Sequence, residues 1–178
     1  MKIIVENLDS NKVDEIKTAV SSLATSRDKV KELPIVLNNT KGDYKLALDL
    51  AKFVHASKVD LLVNASGTND AAGTILAVAG KKGTRHASFD AIFVPFDAES
   101  STKRGERLSP QNQSILSALK SFEAHGRGLK SIFSYSQKLS AFEAKSLRIV
   151  DKVDRIESKY KDDSSKKSKS GKKSSKRK

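Results

Sequence analysis

Hydroxyl and imidazole side chains are the groups in this chain that could carry nucleophilic or acid–base chemistry. There is no cysteine, so a thiolate nucleophile, a disulfide and a zinc–thiolate site are excluded. The three histidines, His55, His86 and His125, are scattered along the sequence without metal-ligand spacing, and neither a metal site nor a cofactor is expected. Ser66, Thr68 and Thr74 lie close together, and His86 stands in the segment Arg85-His86-Ala87-Ser88-Phe89-Asp90. A serine or threonine hydroxyl is inert until a base takes its proton within hydrogen-bond reach. Ser66 or Thr68 with His86 is therefore the fallback nucleophile–base set. A structural histidine is the commoner use of such a residue. His55 ends a helical pattern, where a cation complements the helix dipole, and His125 lies beside a helix break.

The elements that must position these groups follow from hydrophobic spacing. Ile3-Ile4-Val5, Ile35-Val36-Leu37, Leu61-Leu62-Val63 and Ala91-Ile92-Phe93-Val94 read as strands. Val13, Ile16, Val20 and Leu23 form one helical face after Asp9-Ser10, and Leu46, Leu50, Phe53 and Val54 form a second. Between the second strand and that helix lies a turn-rich stretch, Asn38 to Asp43. Asp70 is a good N-cap for a small-residue helix running to Ala79, closed by Gly80 and Gly83. Ser109-Pro110 starts another helix, with Ile115, Leu116, Leu119 and Phe122 on its apolar face. Ser140 with Glu143 is a capping box, and Ile149-Val150 is the candidate last strand. Strands alternating with helices indicate βαβ units and a mainly parallel sheet in an α/β fold. Short continuous apolar strands predict a sheet covered on both faces.

In this order the motifs resemble the proteolytic subunit of the Clp protease, within the Clp/crotonase superfamily. KIIVENLDSNKVDEI (2–16) is similar to that family's first strand–helix unit. IVLNNTKGD (35–43) stands where the family has a strand ending in Asn-Ser-Pro-Gly-Gly. AAGTILAVAGKKGTRHASFDAIFVPF (71–96) resembles the nucleophile helix and the strand after it, and LSAFEAKSLRIVDKV (139–153) the C-terminal element. The resemblance implies repeated ββα/βαβ units over residues 1–156 and a serine-type endopeptidase assembled into rings.

That chemistry needs an attacking serine, a histidine base, an orienting aspartate and backbone N–H groups around the oxyanion. Carried across, the nucleophile falls on Ala71, the base on Phe96 and the acid near Ile132. Alanine cannot attack, phenylalanine cannot take a proton, and residues 124–142 contain no Asp or Glu. Gly42 and Ala72 are the positions for the oxyanion amides, with Asp43 in place of the family's second glycine. Gly42 and Gly73 also have a plain structural reading, turn geometry and tight helix packing. The resemblance thus implies a catalytically inactive partner or scaffold in a homo- or hetero-oligomer, with a Clp-type subunit or an unfoldase as partner. An active peptidase with relocated residues and a basic nucleic-acid-binding protein are the alternatives. Crotonase-type chemistry has no additional coenzyme A motif to support it. The segment between Phe96 and Leu139, the ring-joining helix of the family, is shortened and carries Gly126 and Gly128. The apolar face of the Pro110 helix could serve an interface or this domain's own core.

The net charge of +13 is unevenly placed. Residues 161–178 carry nine Lys/Arg and two Asp, or +7, and the other 160 residues carry 25 Lys/Arg and 19 Asp/Glu, or +6. The Lys/Ser segment 157–178 cannot bury apolar surface and is expected to be a disordered tail. Nucleic-acid phosphates, an acidic protein surface or anionic lipid would suit it, and so would a plain solubility role. No apolar run approaches the roughly 20 residues of a membrane span. With no signal peptide at the start, a soluble cytoplasmic protein is expected.

Overall fold

Parallel strands and crossover helices organise the first two-thirds of the chain. The computed structural model describes residues 2–96, 109–122, 124 and 138–154. In chain order the elements are β1 (Ile3–Leu8), α1 (Ser10–Thr25), β2 (Glu32–Gly42), α2 (Tyr44–Ser57), β3 (Asp60–Ser66), β4 (Thr68–Asn69) and α3 (Ala71–Ala79). There follow β5 (His86–Ser88), β6 (Ile92–Phe93), α4 (Pro110–Ser121), β7 (Leu139–Ser140), α5 (Ala141–Ser146) and β8 (Lys152–Asp154). The larger sheet has the order β1-β2-β3-β5-β8, parallel throughout. The smaller sheet is β4-β6-β7, with β6 and β7 antiparallel. The chain leaves the first sheet at Gly67, enters the second at β4, and returns after α3 through β5. This is an α/β fold built of strand–helix units on a mainly parallel sheet, as the sequence predicts.

Local caps start the helices where the sequence placed them. Asp9, Asp43, Asp70, Ser109 and Ser140 each accept a backbone N–H from the first turn. Seven residues of α3, Ala72 to Val78, are buried, because α3 packs against α2, α4 and the sheet. Ile115, Leu116 and Leu119 of α4 join the same core cluster. Of the two uses open to that face, the domain's own core takes these three.

Three sequence-based expectations change. The strands bury one face of the sheet and only partly cover the other: Ile3 and Val5 are 2% and 0% exposed, while Ile4 between them is 52% exposed. The stretch from Asn38 to Gly42 continues β2 instead of turning, with a register shift against β1 between Val5 and Asn7. Ile149 and Val150 are buried but not extended, since their N–H groups bond to the Ala144 carbonyl, and the last strand begins at Lys152. Residues 157–178, His125 and the segment near Ile132 lie outside the described residues.

Candidate functional site at the N-terminus of α3

The C-terminal end of β2 and the start of α3 are tied together by polar contacts between residues far apart in sequence. Thr40 is fully buried; its hydroxyl donates to the Val5 carbonyl at 2.6 Å, and its own carbonyl accepts the Asp70 N–H at 3.0 Å. Asn69, also fully buried, uses Oδ1 to accept the Thr40 N–H at 3.3 Å. Its Nδ2 donates to the carbonyls of Ser66 and Gly67. The side chain of Asn39 accepts the Thr68 N–H at 2.9 Å. Burying the Thr40 hydroxyl and the Asn69 amide is tolerable because each finds a partner.

This frame brings the N–H of Gly42 to the N-terminus of α3. Gly42 has φ +156°, and a Cβ there would lie 2.5 Å from the Leu8 carbonyl oxygen, so only glycine fits. Asp70 closes the arrangement. Its Oδ1 accepts the N–H of Ala72 at 2.8 Å and of Gly73 at 3.2 Å, and its Oδ2 accepts the N–H of Gly42 at 2.9 Å. One carboxylate thus holds three backbone donors from two elements, at the positive end of a helix dipole where an anion is favoured. Gly73 lets the helix approach this frame: a Cβ on it would come within 2.9 Å of the Asn69 Cβ and 3.0 Å of the Thr40 Cβ.

Ala71, the position expected for a nucleophile, is partly buried against the core, and Phe96, the position expected for a base, is 5% exposed within it. Asp43 points into its own helix, accepting the Lys45 N–H at 2.8 Å, and not toward Gly42. The fallback residues are not joined by hydrogen bonds. The Ser66 hydroxyl meets the Leu37 carbonyl and Asn38 Oδ1 at 3.4 and 3.3 Å. His86 Nδ1 faces Asp154 Oδ1 at 3.3 Å. Thr74 donates to the Asp70 carbonyl at 2.7 Å. His55 is exposed at the end of α2, edge-on to Phe122 with ring centroids 6.5 Å apart. Sequence reasoning found Asp70 as a helix cap but missed its second oxygen on Gly42. The available signal was an acidic cap immediately before the nucleophile position.

A second carboxylate organises the opposite edge of the sheet. Asp151 accepts N–H groups from Gly83 at 2.7 Å and Arg85 at 3.2 Å, and both its oxygens meet the Arg85 guanidinium, at 2.8 and 2.6 Å. Burial pushes the Asp151 carboxyl upward, but the Arg85 and Gly83 hydrogen bonds and the guanidinium charge outweigh it and hold the group below the usual carboxylate range. Among the described residues no cluster of three or more His, Asp or Glu side chains could hold a metal. No described helix is long and apolar enough to cross a membrane.

No family model matches this sequence, and no curated protein matches it. Solved structures do. The ClpP protease catalytic domain from Plasmodium falciparum superposes with a TM-score of 0.67 at 16% identity, over 87% of this chain and 85% of that one. A structure described only as an enzyme superposes with a TM-score of 0.61 at 15% identity, over 86% of this chain and 94% of that one. The chain therefore has a Clp-protease-like fold.

Proposed function

We propose that this chain is a catalytically inactive Clp-peptidase-like protein that acts as a partner or scaffold in an oligomer. One observation carries the reading: the Asp70 carboxylate occupies the N–H groups of Gly42, Ala72 and Gly73. Acyl transfer needs such donors free, aimed at the oxygen where negative charge develops. A resident carboxylate satisfies them in the ground state and repels a second anion. Ala71 in front of the cradle offers no nucleophile, so the site lacks both the attacking group and the vacancy for its product. The protein is proposed to be cytoplasmic. Its basic segment 161–178, at +7, would serve as an arm for phosphates or acidic surfaces, and such contacts weaken with salt.

The test is fluorophosphonate labelling of the full chain with intact-mass readout, beside a peptide-hydrolysis assay. No adduct and no hydrolysis are expected. An adduct on Ser66 or Thr68 would show that a serine-type site operates with relocated residues.

A further inference from the structure

Among the described residues, β1 is one edge of the five-stranded sheet, and no strand pairs with its outer side. A free edge presents a row of unpaired N–H and C=O groups, which proteins usually blunt with proline, bulges or a covering element. β1 has no Pro or Gly, and in the register shift between Val5 and Asn7 the extra residues belong to β2, where three residues, Asn38 to Thr40, stand against Glu6 alone. The Val5 carbonyl is turned toward β2, where the Thr40 hydroxyl bonds it at 2.6 Å. In a strand paired on one side, successive residues direct their backbone groups alternately toward the partner and away from it. Lys2, Ile4 and Glu6 therefore turn theirs to the open edge. The side chains of the same three residues are exposed on the less covered face, while those of Ile3 and Val5 are buried.

We infer that β1 pairs antiparallel with β1 of a second copy of this chain, centred on Ile4. In that register Ile4 meets Ile4 of the second copy, Lys2 meets Glu6, and Glu6 meets Lys2. The charges then match twice across the two-fold axis. Other centres lose the match: Lys2 and Glu6 would place like charges opposite each other, and Ile3 and Val5 would set Ile4 against a charged residue. Because Ile4 faces the open edge, the central pair exchanges both backbone hydrogen bonds. Glu6 Oε1 is held by Asn38 Nδ2 at 3.1 Å, and Oε2 remains for lysine. Two five-stranded sheets thereby become one. The inference stands on the strand edge and does not rest on the loss of catalytic groups.

Sedimentation velocity of the full chain from low to high micromolar concentration tests it, with three variants. The wild type is expected to move from monomer to dimer. Ile4→Pro deletes only an outward N–H, which an edge strand tolerates, and should stay monomeric with an unchanged circular dichroism spectrum. Lys2→Glu should weaken the dimer roughly two- to thirtyfold, from two lost cross-strand charge pairs, and adding Glu6→Lys should restore it. Should Ile4→Pro fail to fold, the charge pair still decides. A wild type that stays monomeric, or an oligomer unchanged by Ile4→Pro or by the charge swap, overturns the proposal.

Discussion

Asp70 and Asp151 both collect backbone amides, yet they sit in regions built on different principles. Asp151 faces Arg85, whose side chain is only 3% exposed, and ties the Gly83–Arg85 turn to the start of β8 across 66 residues or more. Asp70 bonds to no cation among the described residues; its partners are three N–H groups from β2 and α3. The first is an ion pair, in which each charge needs the other. The second is an amide cradle that would suit any anion, and the chain fills it with its own. A carboxylate matched by a guanidinium reads as a clamp. A carboxylate matched only by amides at a strand–helix junction is a helix cap that also holds the neighbouring strand.

The comparison breaks most sharply at Asp151. Asp151→Ala leaves the buried Arg85 unpaired and should cost about 3–5 kcal/mol, as for other broken buried pairs, read from urea unfolding. Asp70→Ala should cost less, about 1–2 kcal/mol, because it removes a helix cap and a neutral-donor bridge to Gly42. Asparagine separates the two further. It caps helices about as well as aspartate, so Asp70→Asn should keep the α3 cap and lose only the bond to Gly42, whose N–H an amide NH2 cannot accept, while Asp151→Asn discards the charge facing Arg85 and should be the more destabilising of the two. Equal losses for the two asparagine variants would show that the two regions do not differ as described.

Acid gives a smaller effect with a defined sign. The folded-state pKa of Asp151 lies below its unfolded value. Its contribution is therefore present above the unfolded pKa, about 4, and is lost as pH falls through the folded one. Urea midpoints should drop below about pH 4 in the wild type, and the Asp151→Asn variant should show a shallower drop. The smallest change is expected at the capping box. The Ser140 backbone N–H and then its hydroxyl, both 2.8 Å from Glu143 Oε2, hold the Glu143 carboxyl below its usual range. Glu143→Ala should cost under about 1 kcal/mol at neutral pH.

What the sequence shows of this fold is local. The starts of α3, α4 and α5 were legible because Asp70, Ser109-Pro110 and Ser140 with Glu143 act within one helical turn. β5 was not, because His86-Ala87-Ser88 has a single buried residue and is held in place by β3 and β8. The composition of Asn38 to Gly42 suggests a turn, yet the segment stays in β2, with Asn39 in the left-handed region at φ 50°, held by bonds to Val5, Asn69 and Asp70. The candidate site shows the same division. Ala71 and Gly42 could be placed by resemblance, and Asp70 as a cap by its type. The bond from Asp70 to Gly42 joins residues 28 apart, and the acidic cap itself is its only local trace.

The most direct test of the central claim is amide hydrogen exchange at Gly42, Ala72 and Gly73, in the wild type and in Asp70→Ala. All three amides should be protected in the wild type, and all three should exchange faster in the variant. Amides that exchange alike with and without the Asp70 side chain would contradict an occupied cradle.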